Sequence, residues 1–371
     1  MFTRELIISG IFPPDPGGPA KFAHEFAEWS SRKGNKVCVI AYFDKVELKS
    51  RDLDRDFSGV SRSDSLLVRY FRMVRAIAMS ARKQDSVIAV GAFLETYIAS
   101  LIGHFQYIVK VPGDIVWERA RNNKITEFDI NDFQEARLGF KYRIFRYLFT
   151  QSLKRASIVV VPSNGLFQLC LKWGIPESQL RLIRNSVDLS KYSNLNRDSL
   201  NFDVLTVCRL APWKGVDELI ETCSQNNLRL AIAGDGPERS SLERLSVSLG
   251  ADVRFFGDIS EQKVLELLGT TKIFVLNSHY EGLPHALVEA RAAGMITVAR
   301  ADTGSAEVIT DGVDGFLVKE NDHLSNAVTS AISEFNNQSQ MGKLAAADTK
   351  NRFDREHNFL EILSALAEIS K

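Results

Sequence analysis

Two carboxylates and two cations dominate the chemistry this sequence can offer. Glu281 and Glu289 stand with seven residues between them in the stretch running from Asn277 to Gly294. Pro284 near the first helical position and Gly294 past the last one bracket a helix. Proline loses nothing there by lacking an N–H, and glycine accepts the left-handed geometry of a helix end. If every intervening residue were helical, eight steps would separate the two carboxylates by roughly 12 Å along the axis. That is wider than the about 5–9.5 Å of a glycosidase pair, and it suits two groups holding opposite ends of one long polar ligand. The helix mouth between them presents free N–H groups and a positive dipole end, which favour phosphate or hydroxyl oxygens.

The cations are Arg209 and Lys214, five apart in the loop that ends at Gly215. At a strand end before a helix they can converge on one anion, the guanidinium as a planar fork and the ammonium as a point charge. Standing alone they would read as two solvated surface cations. Gly17 and Gly18 let backbone N–H groups approach a phosphate closely, although Pro-Gly-Gly-Pro is also a plain turn. Gly234-Asp-Gly-Pro237 is a tight turn, read chiefly as structural, with contact to a base as the functional alternative. The segment from Asp302 to Ile309 offers a second anion contact or an ordinary helix cap. The six histidines (His24, His104, His279, His285, His323 and His357) show no metal-ligand spacing, and His285 lines the helix mouth rather than reacting there. Nucleophile-elbow, P-loop and dinucleotide fingerprints are missing from the sequence.

These residues sit in loops after short apolar runs, and the runs alternate with helical patterns. Leu6–Ile11 reads as a buried strand. A helix over about 20–32 carries Phe22, Phe26 and Trp29 at helical spacing, and Val37–Tyr42 reads as the next strand. This is a βαβ opening, and it predicts a parallel sheet. The segment 44–65 is charged and patternless, hence loop. Leu66–Tyr70 reads as a strand followed by a helix to Lys83; further strands are expected at 86–90, 107–111, 157–161 and 180–183. Residues 133–155 are expected to form one long helix with Arg137, Lys141, Arg143, Arg146, Lys154 and Arg155 beside apolar residues. That is either a core-packing helix with a solvated positive face or a basic face for an anionic membrane surface. The polar, aperiodic stretch Arg184–Asp198 reads as a linker with a hinge near residue 190. Strand–helix alternation then restarts and runs to the C-terminus, with 342–369 helical. The expected fold class is α/β, two Rossmann-like βαβ domains whose parallel sheets face a central cleft: an acceptor domain over 1–185, a donor domain over 186–350, and a helix over 351–371 that crosses back.

The bulk numbers agree. The chain has 371 residues, enough for two domains, with 45% hydrophobic and 25% charged residues. Formal net charge is zero, so nucleic acid is not an expected partner. The scattered Cys38, Cys170, Cys208 and Cys223 form no CxxC pair and read as reduced thiols. The N-terminal stretch is charged too early for a signal peptide, and no apolar run approaches the ~18 residues of a membrane span. The expected location is cytoplasmic, peripheral at the inner face of the membrane if the basic helix binds lipid.

Phe12-Pro-Pro through Gly17-Gly18, Arg209 through Lys214-Gly215, Gly234-Asp-Gly-Pro237, Glu281 through Glu289, and Gly304 through Gly315 occur in one order. In combination they resemble the retaining glycosyltransferases of the GT-B fold, of the large family 4 kind that uses nucleotide-diphosphate sugars. The resemblance covers nearly the whole chain and is strongest in the C-terminal half. It implies that Arg209 and Lys214 hold the donor diphosphate, that Glu281 contacts the transferred sugar, and that Glu289 takes the ribose hydroxyls. It further implies that backbone around Gly282, Leu283 and Pro284 meets the sugar or phosphate, and that Gly17 and Gly18 approach the phosphate from the other domain. The donor implied is a UDP- or GDP-sugar, with no metal or other cofactor. The acceptor is a hydroxyl on a saccharide, a lipid-linked saccharide or another molecule, in bacterial surface polysaccharide or glycolipid assembly. Relatives often place a histidine on an N-terminal strand-end loop facing the acceptor. Here that loop reads Val111-Pro-Gly-Asp114, so either Asp114 takes part of that role or the loop only shapes the acceptor site. The family's Ala-Gly-x-Pro after the second glutamate reads Ala293-Gly-Met-Ile296. Other readings are a GT-B sugar-nucleotide epimerase or sugar-phosphate synthase, and a non-catalytic nucleotide-sugar-binding protein.

Overall fold

The computed structural model describes residues 3–15, 17–43, 55–193, 195, 199–301 and 303–370. Residues 44–54 of the expected loop over 44–65, part of the linker and Asp302 therefore lie outside the described residues.

The N-terminal half is a seven-stranded parallel sheet in the order β3-β2-β1-β4-β5-β6-β7. Its strands are β1 (Arg4–Ser9), β2 (Lys36–Phe43), β3 (Arg55–Ser61), β4 (Ser86–Ala89), β5 (Ile108–Lys110), β6 (Ile158–Val161) and β7 (Leu180–Leu182). The connecting helices are α1 (Gly18–Arg32), α2 (Leu66–Ala81), α3 (Phe93–Gly103), α4 (Ile115–Asn122), α5 (Ile130–Glu135), α6 (Phe140–Arg155) and α7 (Asn164–Lys172). Central strands are mostly apolar because helices cover both faces of the sheet; Leu6, Ile7 and Ile8 are all fully buried.

Three sequence expectations are corrected here. Arg55–Ser61 is a strand, an edge one paired only with β2. Leu66–Tyr70 is the start of α2 and not a strand. Residues 133–155 do not form one helix: α5 ends at Glu135, extended backbone at Ala136 and Gly139 intervenes, and α6 begins at Phe140.

The C-terminal half repeats the design with six strands in the order β10-β9-β8-β11-β12-β13. They are β8 (Phe202–Val207), β9 (Leu230–Ala233), β10 (Val253–Gly257), β11 (Thr271–Leu276), β12 (Ile296–Arg300) and β13 (Phe316–Val318). Its helices are α8 (Val216–Gln225), α9 (Arg239–Ser248), α10 (Glu261–Gly269), α11 (His285–Ala292), α12 (Thr303–Ala306), α13 (Leu324–Asn336) and α14 (Met341–Arg352). The fully buried Arg291 of α11 binds Asp314 at 2.9 Å and Asp348 at 2.8 Å, tying α11 to α14.

The chain passes between the halves twice. The first passage holds Val187, whose N–H donates to the Phe353 carbonyl at 3.0 Å and whose carbonyl accepts from Arg355 N–H at 3.2 Å. The second passage leads into α15 (Arg355–Ile369), capped by Asp354. This helix packs on the N-terminal half, with Phe359 edge-on to Phe22, Phe26 and Trp29.

Candidate active site at the facing sheet edges

In a parallel sheet the strand order reverses at one point, and ligands bind beyond the carboxyl ends of the strands flanking it. In the C-terminal sheet those strands are β8 and β11. The loop after β8 carries Arg209 and Lys214, and the loop after β11 carries Glu281. Asn277 binds the two loops together, its Nδ2 donating to the Gly215 carbonyl at 2.8 Å. This seats Lys214 Nζ 2.5 Å from Glu281 Oε1, with both side chains about one-seventh exposed, 14% and 15%. Burial opposes the charge on Lys214, yet Glu281, and behind it Glu118, raise its pKa above the ordinary lysine value.

Glu118 is a member of this group that sequence reasoning missed. It lies one turn into α4, on the N-terminal half, and its position against the cleft is set from outside its own segment. Burial pushes its carboxyl up to about 7; Lys214 and Arg209 pull it down, while Asp114 and Glu281 push it up. Lys214 and Arg209 thus both act on the charge of Glu118. The available signal was modest: an acid directly after Trp117 in a helix that opens at a strand end.

Asp114 is the N-cap of α4. It is fully buried. One carboxylate oxygen accepts from the N–H groups of Val116 and Trp117 at 3.0 and 3.1 Å, capping α4. The other accepts from Gln134 and Arg146, both at 3.0 Å. Both carboxylate oxygens are thus occupied by partners of its own half. Its backbone N–H donates to Tyr280 Oη at 2.9 Å, and Trp117 packs edge-on against Trp213 and Tyr280 across the cleft.

A second cluster surrounds Glu289. Lys21, from the first turns of α1, forms an ion pair with it across the cleft, and Lys21 also lies 3.6 Å from Glu261. Gly17 caps α1 with φ 128°, a conformation that favours glycine. Gly18 lies against His285: a Cβ on it would come within 3.3 Å of the imidazole. Burial, then Lys21 and Lys110, lower the pKa of His285 to about 3, so its ring is neutral. Lys110 is a buried amine lowered by burial to about 7; a lysine inside the apolar run 107–111 was the sign that could have flagged it.

The glycines of the motifs serve close packing. A Cβ on Gly282 would sit 2.0 Å from the Pro112 carbonyl of the opposite half, and one on Gly234 would sit 2.0 Å from the Cys208 carbonyl. Gly234 is thus a requirement of the turn. Leu283 is buried, and its carbonyl accepts from Asn185 at 2.7 Å. Pro284 caps α11, whose first intrahelical bond runs from Val288 N–H to the Pro284 carbonyl. The N–H groups of the preceding residues in that first turn have no helical acceptor. Glu307 grips the other half, accepting from the N–H groups of Asn164 and Gly165 at 2.9 and 2.8 Å.

Two parallel sheets meeting across one cleft in this way define a GT-B protein. Anabaena HepE, solved in complex with UDP and glucose, superposes with a TM-score of 0.80 at 20% identity, over 99% of this chain and 100% of that one. Sucrose-phosphate synthase from Thermosynechococcus elongatus superposes with a TM-score of 0.79 at 18% identity, over 99% and 98%. At such identities the likeness is one of fold. Residues 16–191 match the model for Glycosyltransferase Family 4, and residues 193–348 match that for Glycosyl transferases group 1. Lying end to end over most of the sequence, the two matches place the chain in this glycosyltransferase family.

Among curated relatives, the chain is 28% identical over 234 residues to the N,N'-diacetylbacillosaminyl-diphospho-undecaprenol alpha-1,3-N-acetylgalactosaminyltransferase of Campylobacter jejuni, covering 57% of this chain and 61% of that one. It is 30% identical over 112 residues to the GDP-mannose-dependent alpha-mannosyltransferase of Corynebacterium glutamicum, covering 30% and 26%. The matched region spans about half the length of the first curated relatives.

Proposed function

We propose that the chain transfers a sugar from a nucleoside diphosphate sugar to an acceptor hydroxyl with retention of configuration, in polysaccharide or glycolipid assembly. The observation that carries this reading is the meeting of Lys214 and Glu281 at the β8–β11 switch point. On donor binding, Lys214 and Arg209 take the diphosphate, whose charge they offset without a metal. Glu281, released from Lys214, receives hydroxyls of the transferred sugar. Glu289, released from Lys21, receives the ribose hydroxyls. The unbonded N–H groups at the start of α11 meet sugar or phosphate oxygens. The bond from the anomeric carbon to the diphosphate breaks as the bond to the acceptor oxygen forms on the same face, and the hydroxyl proton passes to the departing phosphate. No helix among the described residues is long and apolar enough to cross a membrane. In this reading the enzyme works in the cytoplasm and meets lipid-borne acceptors at the inner membrane face.

A thermal-shift panel of UDP, GDP, ADP and their sugars, followed by an assay of donor consumption, tests the reading. One nucleotide class should stabilise the protein, and Glu289→Ala should raise the donor KM about tenfold, the loss of one charge-assisted hydrogen bond. No stabilisation by any nucleotide, or a Glu289→Ala effect confined to the acceptor KM, contradicts it.

A further inference from the structure

Lys110 is the last residue of β5, at the carboxyl edge of the N-terminal sheet. Its side chain turns toward α1, where Nζ lies 5.0 Å from the centre of the Phe22 ring. The residue is only 6% exposed. Among the described residues nothing accepts a hydrogen bond from that nitrogen. Burial alone lowers its pKa to about 7, with no contribution from a charged neighbour. Arg146, Lys214 and Arg291, also drawn largely into the interior, each meet a carboxylate. A buried amine that meets none is costly, and the cost falls once an anion arrives beside it.

The surroundings of Lys110 favour an anion. Helix α1 has 15 residues, and its N-cap, Gly17, has no side chain to bond the free N–H groups. Helix α11 has 8 residues and also lacks a side-chain cap at Pro284. Neither helix carries an acid in its first turn. The two helix starts come from opposite halves and touch, since a Cβ on Gly18 would lie 3.3 Å from the His285 ring. Lys21 and Lys110 both act on the charge of His285, so the two amines flank this meeting point. The buried Nδ1 of His285 has no hydrogen-bond partner either. The nearby acids answer Lys21: Glu289 pairs with it, and Glu261 and Glu25 lie 3.6 and 3.9 Å from it. None of the three contributes to Lys110. Two positive helix ends and a buried amine without a counter-charge thus converge from the two halves.

We propose that Lys110 is the N-terminal half's own cation for the donor diphosphate, a binding residue outside the strand-end loop motifs. The diphosphate lies between the starts of α1 and α11, with Lys214 and Arg209 meeting it from the donor half and Lys110 from the other. The proposal deepens the donor reading and rests on it. It carries a consequence for protons. An amine lowered to about 7 is largely neutral at pH 8, and phosphate charge beside it restores the ammonium form. Donor binding at that pH therefore takes up about one proton. Of the other groups at the meeting point, Lys21 is held charged by its acids and His285, at about 3, is neutral. The nucleotide's own phosphates are already ionised at pH 8.

Titration calorimetry of the full chain with UDP and GDP at pH 8, in buffers of different ionisation enthalpy, tests this. The nucleoside diphosphate that binds should take up about one proton, and its affinity should fall several-fold from pH 7.5 to pH 9. Lys110→Met should abolish the uptake and weaken that nucleotide at least about tenfold. It should leave the affinity for the corresponding nucleoside within about twofold, and it should melt no lower than the wild type, since it removes a buried polar group that has no partner. Lys110→Arg, charged at every working pH, should restore part of the affinity with no proton uptake. Nucleotide binding without proton uptake overturns the proposal, as does nucleotide affinity in Lys110→Met within twofold of the wild type; Lys110 would then only pack on Phe22. Uptake that persists in Lys110→Met assigns the proton to another group and overturns it as well. So does equal weakening of nucleoside and nucleotide, which marks a general loss of shape. Failure of the donor reading shows separately, as binding of neither UDP nor GDP to the wild type.

Discussion

Lys214 carries two duties that a single substitution confounds. It pairs with Glu281, and in the proposed reaction it takes the diphosphate. Lys214→Met leaves Glu281, 15% exposed, without its partner at 2.5 Å, and removes the cation that holds Glu118 down. Breaking one side of a largely buried pair costs about 3 kcal/mol. At about 2–4 °C per kcal/mol for a domain of this size, the melting temperature should fall by roughly 6–12 °C. Turnover should fall about 100- to 1,000-fold, the usual effect of removing one group that stabilises a departing anion.

Adding Glu281→Gln separates the two duties. The double variant has no carboxylate charge at that position and should regain about 2 kcal/mol of the lost stability, since neighbouring substitutions do not add. Its turnover should stay down, because the diphosphate still lacks its cation. Calorimetric melting and donor-consumption kinetics on the wild type, both single variants and the double variant complete the comparison. A double variant that regains both stability and turnover would refute the reasoning, and Lys214 would then be a structural counter-charge only.

Two further outcomes can be checked. Glu118 has a folded pKa of about 7 against an ordinary value of 4.5. Its contribution to stability is therefore full below about pH 4.5 and is lost as pH rises through about 7. Glu118→Gln should flatten that fall in the urea midpoint between pH 5 and pH 8, and an unchanged pH slope would contradict it. Gly282→Ala would push a methyl against the Pro112 carbonyl at 2.0 Å. It should cost at least about 2 kcal/mol and enlarge the radius of gyration in solution scattering as the halves part; a variant as compact and stable as wild type would show that the contact yields.

The α/β class was legible because buried parallel strands are short apolar runs and their loops are rich in glycine and charge. Arg209, Lys214 and Glu281 were visible as candidates for the same reason, as polar groups at strand ends, and Glu289 by its spacing from Glu281 inside the helix that follows. Arg55–Ser61 was not visible, since an edge strand bonded on one side needs few apolar residues and has two. Leu66–Tyr70 misled because a continuous apolar run has the same look in a strand and in a helix with an exposed greasy end. Glu118 and Lys21 could not be placed at all. Their partners, Lys214 and Glu289, are 96 and 268 residues away in the chain, and only the meeting of the two halves brings them together. Asp114 was legible as important, but a capping carboxylate and an acceptor-facing one occupy the same kind of strand-end position.

The paired passages at Val187 and Phe353–Arg355 have a mechanical meaning. A single tether would let one half swivel about any axis. Two tethers bonded side by side, with Arg355 also paired to Asp188 at 2.8 Å, behave as the pin of a door. Rotation about the line joining them stays soft, while twisting and sliding strain backbone hydrogen bonds. The cleft should thus open along one coordinate, and cutting the chain after Arg352 would remove one tether while baring Phe22, Phe26 and Trp29. Such a truncated protein would lose directional control over its halves and gain an adhesive aromatic surface on the N-terminal one.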